Sequence, residues 1–140
     1  MIEGRCLCRA VRYEIEGRIS RIWLCHCSKC RRQTGSAFHA SAVCRKEQLR
    51  WLSGEDKIRE YEDTPTYKVR FCGTCGSPVP SYLEEHDMVF LHVGALEDDP
   101  GSRLSHHIFV GSKAPWYPIL DDLPAHEGHV PAAAKNESES

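Results

Sequence analysis

No stretch of this 140-residue chain is apolar for the length needed to cross a bilayer, so no membrane span is expected. The opening residues, Met1-Ile2-Glu3-Gly4-Arg5, carry no apolar run of the signal-peptide kind. On that reading the chain is expected in the reducing cytoplasm, where clustered cysteines serve as metal ligands more often than as disulfides. Basic residues are not in excess. Eighteen Lys and Arg stand against twenty Asp and Glu, a formal net charge of −2, which removes the general electrostatic attraction to nucleic acid. Sustained helical periodicity and internal repeats are also missing, which argues against a helical bundle or a solenoid. Apolar residues make up 41% of the chain, enough for one ordinary core that bound metal would usefully reinforce.

What the chain does have is cysteine, eight residues in all. Seven fall into three clusters: Cys6 and Cys8, then Cys25, Cys27 and Cys30, then Cys72 and Cys75. A structural zinc takes four protein ligands, and a catalytic one usually takes three and leaves a position open. Two pairs supply four ligands and the triple supplies three, so the pattern reads as one closed site and one open site. The short C-x-C and C-x-x-C spacings suit chelation within a tight turn, and Gly73 and Gly76 provide permissive backbone around the downstream pair. The competing reading, a disulfide framework of an even cysteine number, fits a secreted chain better than this one. Cys44 is left over. It is expected as a buried small hydrophobe, with a fourth ligand to the triple as the other possibility.

The rest of the chain reads as short strands. Val11 to Glu16 alternates apolar and charged residues with period two, Ile19 to Leu24 leads into the triple, and Ala37 to Cys44 is a buried run containing His39. A short helical turn is expected after Cys30, ending near Gly35, and another over Arg45 to Leu49, after which Trp51 to Gly54 ends in a turn. Lys57 to Tyr61, Thr66 to Phe71, Val79 to Leu83, Met88 to Val93 and His106 to Val110 complete the strands. The predicted class is all-β, built of short antiparallel strands with cysteines at strand ends. A tail over 127–140, small and charged, is expected to be disordered.

Four stretches carry a family resemblance: G-R-C-L-C-R-A-V-R-Y, C-H-C-S-K-C-R-R-Q-T-G-S-A-F, F-C-G-T-C-G-S-P and H-I-F-V-G-S-K-A-P-W-Y. In this order, over roughly residues 2 to 126, they resemble the glutathione-dependent formaldehyde-activating (GFA) family, which includes the centromere protein V group. The resemblance implies one GFA-type domain over 1–126 with a zinc-stapled, tent-like β fold. It implies a structural zinc on Cys6, Cys8, Cys72 and Cys75 and a catalytic zinc on Cys25, Cys27 and Cys30, two Zn²⁺ per chain. It also implies a carbon–sulfur lyase of the S-(hydroxymethyl)glutathione synthase kind, joining a thiol such as glutathione to a small aldehyde such as formaldehyde, or reversing that addition. This chain is compact beside the enzyme that named the family.

Such chemistry needs a proton carrier, and histidine is the natural one near neutral pH. His26 lies inside the triple, and His39 and His107 lie in predicted strands. Lys29, Arg31 and Arg32 form a basic cluster beside the triple, suited to the carboxylates of a glutathione-like thiol. Two other functions compete with the enzyme. A non-enzymatic zinc module would bind a protein or nucleic acid, the latter disfavoured by the charge. A thiol redox enzyme would need a free nucleophilic cysteine, a role open only to Cys44.

Overall fold

The computed structural model describes residues 1–83 and 86–131. Among them the chain forms ten strands, one α-helix and short 3-10 turns, an all-β fold. Its residues cluster into two compact units, each made of two chain segments. Unit 1 comprises Met1–Ile19 and Val43–Gly101, and unit 2 comprises Ser20–Ala42 with the chain from Ser102 onward.

Unit 1 begins with β1 (Ile2–Arg5), β2 (Arg12–Ile15) and β5 (Leu49–Ser53), which form an antiparallel sheet with β2 in the middle. The alternation in β2 buries Tyr13 and Ile15, with Val11 just before the strand. Its opposite face is not simply solvated. Glu14 is only 8% exposed and pairs with Arg50 of β5. Burying a carboxylate without a partner would be costly, and the cross-strand guanidinium meets that need. Tyr13 sits edge-on to Trp51 at 5.8 Å, and Trp51 donates its indole N–H to the Tyr82 hydroxyl at 2.9 Å.

Two of these strands differ from the sequence reading. β1 runs through Gly4, which opposes Tyr13 in register. A Cβ at Gly4 would enter the Tyr13 ring, so the glycine there makes room for the aromatic ring. β5 runs through Trp51, Leu52 and Ser53, where no strand was expected, and the turn that ends the stretch falls at Gly54, at φ +77°. Unit 1 also holds the ribbon of β6 (Ile58–Thr64) and β7 (Tyr67–Cys72) and the hairpin of β8 (Ser81–Leu83) and β9 (Met88–His92). The turn between β8 and β9 lies partly outside the described residues.

In unit 2, β3 (Ile22–Cys25) pairs antiparallel with the first half of β4 (His39–Arg45) and parallel with β10 (Leu104–Ile108). The parallel pair was not foreseen. Between β3 and β4 lies α1 (Ser28–Thr34), capped by Gly35 in the left-handed conformation at φ +64°, where a helix end favours glycine. Residues 132–140, most of the expected tail, lie outside the described residues. At its start the backbone carbonyls of Glu127 and Gly128 accept hydrogen bonds from Gly111 and Phe109.

Candidate metal centres

The first cluster belongs to unit 1. The sulfurs of Cys6, Cys8, Cys72 and Cys75 lie within 4.8 Å of one another. Cys6 and Cys8 Sγ are 3.6 Å apart, and Cys8 and Cys72 Sγ 3.8 Å. Four thiolates bound at about 2.3 Å around a tetrahedral zinc would be about 3.8 Å apart. The spacing fits a shared ion, and all eight cysteines are free. Both knuckles are shaped by backbone that L-residues rarely adopt, Arg9 at φ +72° after the first pair and Gly76 at φ +81° after the second. Amides already point at sulfur. Val11 N–H donates to Cys6 Sγ at 3.2 Å and Thr74 N–H to Cys72 Sγ at 3.4 Å, which favours the thiolate form.

Ser77 ties the two knuckles together. Its hydroxyl accepts from Leu7 N–H at 2.9 Å and lies 3.3 Å from Cys75 Sγ, while its carbonyl accepts from Cys72 N–H at 2.8 Å. The Ser77 hydroxyl is the main reason the Cys75 thiol is lowered from its usual value to about 5. Cys6 and Cys72 also pack with Val11 and Val79 in a buried cluster, so an ion here would staple a hydrophobic core directly. Sequence reasoning passed over Ser77, although it stands in the quoted F-C-G-T-C-G-S-P stretch.

The second cluster belongs to unit 2. Cys25, Cys27 and Cys30 place their sulfurs within 4.8 Å of one another. Cys25 ends β3 and Cys27 caps α1, its sulfur accepting from Cys30 N–H at 3.3 Å. Backbone N–H groups at a helix start favour thiolates. As bare thiols the three compete for one negative charge. Cys25 is lowered to about 6, chiefly by the hydrogen bond from Cys30, and Cys30 is pushed up by the same contact. A cation would let all three ionise, so the donor set fits a soft divalent metal with three protein ligands. Cys44 is a buried thiol in unit 1 and joins neither cluster. Its thiol is raised to about 11, first by burial and then by Glu47.

The three histidines are all buried. None joins the cysteine triple as a fourth donor within 4.8 Å. His39 Nδ1 meets the Ser41 hydroxyl at 2.5 Å, and burial lowers its pKa from 6.5 to about 4. His26 is also lowered to about 4, by burial first and then by His107. Its Nε2 lies 2.8 Å from His107 Nδ1, and His107 Nε2 lies 3.0 Å from both carboxylate oxygens of Asp121. The sequence reading did not connect Asp121 to a histidine. Lys29 and Arg32 are exposed on α1, and Arg31 is half-buried with its Nε enclosed and without a hydrogen-bond partner.

His39 gives the protein a pH dependence of known sign. Between pH 6.5 and 4 the unfolded chain binds the proton more readily than the folded one, so stability falls as the pH drops through that window. From pH 6.5 to 5 the loss traceable to His39 is at most about 2 kcal/mol, at about 1.36 kcal/mol per unit. Denaturant midpoints at pH 7, 6 and 5 should therefore fall more steeply for the native protein than for His39→Asn. Equal slopes would show that His39 does not supply the effect.

Residues 1–112 match the family described as "Glutathione-dependent formaldehyde-activating enzyme". The chain belongs to this family. A Colletotrichum graminicola protein that carries the family's name is 29% identical over 103 residues, covering 69% of this chain and 53% of that protein. The chain thus spans about half the length of that curated relative. The crystal structure of a Rhodobacter sphaeroides protein is similar in fold, with a TM-score of 0.55 and 27% identity, covering 74% of this chain and 99% of that one. Both cysteine clusters lie inside the segment that matches the GFA family, whereas Asp121 lies beyond it.

Proposed function

We propose that the protein is a zinc-dependent carbon–sulfur lyase that adds a glutathione-like thiol to a small aldehyde such as formaldehyde, or runs the reverse. The observation that carries this reading is a three-thiolate cluster separate from a complete four-thiolate one, in a chain of the GFA family. In our reading Cys6, Cys8, Cys72 and Cys75 hold a structural zinc, and Cys25, Cys27 and Cys30 hold a second. When bound by three thiolates, zinc supplies an open position at which an incoming thiol is held as thiolate.

The chain's own residues would do the rest. The α1 amide at Cys30 supports the charge on Cys27. Lys29, Arg31 and Arg32 would receive the substrate carboxylates, Arg in bidentate fashion. The substrate sulfur gives its electron pair to the carbonyl carbon, the C=O π pair moves to oxygen, and that oxygen takes up the proton that the thiol released, to give the S-hydroxyalkyl adduct. We assign the proton-carrying role to the set His26, His39 and His107. Burial keeps His26 and His39 neutral near pH 7, the form able to accept a proton. Thiolate sites of this kind need a reducing environment, so we place the protein in the cytoplasm.

The test follows formaldehyde and glutathione by NMR magnetisation exchange against their adduct. The metal-loaded protein should speed exchange at least about tenfold over buffer, and chelation should return it to the uncatalysed rate. A full metal complement with no acceleration for any small aldehyde would favour a non-enzymatic zinc module instead.

A further inference from the structure

The residue between the first two cysteines of the triple is not free to turn. His26 is fully buried in unit 2, with the rings of His107, Phe38 and Tyr117 at 5.0, 5.6 and 6.0 Å. Side chains alternate along extended backbone, so Cys25 and Cys27 share one side and His26 occupies the other. The backbone behind it is pinned as well. His26 N–H donates to Ile108 C=O at 3.0 Å, and His107 exchanges hydrogen bonds with Pro124 C=O and His126 N–H at 2.8 and 3.0 Å.

We propose that Asp121 is a positioning residue for the cysteine triple, acting through His107 on the tautomer and ring orientation of His26. A carboxylate can only accept, so His107 carries its proton on Nε2 and presents a bare Nδ1. That nitrogen accepts from His26 Nε2–H, and His26 is left with a bare Nδ1. His26 Nδ1 is buried and has no hydrogen-bond partner. The opposite polarity would bury an N–H donor there with nothing to receive it, and orphaned buried donors are rarer than under-satisfied acceptors. Asp121 is itself held in place, since Leu123 N–H donates to its Oδ1 at 3.1 Å, and the His107 hydrogen bond keeps its carboxyl below the usual range. The chain of three side chains thereby braces the strand end that carries Cys25 and Cys27. This inference rests on reading the triple as a metal centre.

Histidine-labelled, zinc-loaded full-length protein would be studied by long-range ¹H–¹⁵N correlation at pH 7.5, beside Asp121→Asn. Native His26 and His107 should both be neutral and protonated on Nε2. In Asp121→Asn the amide oxygen stays on Leu123 N–H and the NH₂ faces His107, so both rings should switch to Nδ1–H. Zinc affinity of the triple, from chelator competition, should fall about tenfold, while the four-cysteine site keeps its affinity. A native His26 protonated on Nδ1 overturns the proposal, and that spectrum needs no variant. An unchanged His26 tautomer in Asp121→Asn, or an equal affinity loss at both sites, overturns it as well. If the triple takes no zinc at all the metal reading fails, and the tautomer spectra still report on the chain of side chains separately.

Discussion

Cys72→Ser should leave a chain that does not hold its fold. Cys72 is fully buried at the end of β7, its sulfur 3.8 Å from that of Cys8, and it packs with Cys6, Val11 and Val79. Residues 64 positions apart meet there. In small zinc peptides a structural site contributes about 10–16 kcal/mol of apparent binding free energy, whereas a whole domain is stable by only about 5–15 kcal/mol. Losing even part of the first sum removes most of the second. The variant should give a low soluble yield, lack the metal of the four-cysteine site and show no cooperative denaturant transition. Cys44→Ser is the control. It places a hydroxyl at a buried position outside both clusters and should cost about 1–3 kcal/mol, with metal content intact. A Cys72→Ser protein with the native midpoint and metal content would remove the structural-site assignment.

Cys25→Ser should behave in the opposite way. The triple is built by the end of one strand and the first turn of a seven-residue helix, all within six positions of sequence, so its loss unties no distant elements. Elemental analysis without added metal should find two zincs per native chain, one for each cluster, and one per Cys25→Ser chain. The denaturant midpoint should move by less than about 2 kcal/mol in stability, and aldehyde–thiol exchange should fall to the uncatalysed rate. Equal unfolding of Cys25→Ser and Cys72→Ser would abolish the division into a closed and an open site. One zinc in both native and Cys25→Ser protein would mean that the triple does not retain metal as isolated.

The two outcomes differ because of where each cluster sits. Cys6 and Cys72 are core residues whose sulfurs already receive the Val11 and Thr74 amides, and the Ser77 hydroxyl joins the two knuckles through Leu7 N–H and Cys75 Sγ. The triple receives the Cys30 amide at Cys27 and the Cys27 amide at Cys25, and has a basic helix beside it.

The sequence by itself determined which cysteines group as four and which as three, because chelation depends on spacings of two or three residues that a single turn can satisfy. It also determined the strand at Arg12–Ile15, the buried run ending at Cys44 and the helix stop at Gly35, since alternation and a left-handed cap are local properties. Tertiary structure decided the rest. β1 passes through Gly4 because a ring from the neighbouring strand needs that space, and β5 extends through Trp51 because β2 offers it a ladder. The parallel pairing of β3 with β10 and the contact of His26 with His107 join positions about eighty residues apart. Asp121 became meaningful only when its carboxylate was found 3.0 Å from His107. Each of these depends on which distant surfaces pack together, a choice made by burial and hydrogen-bond satisfaction over the whole chain, so no short window of sequence records it.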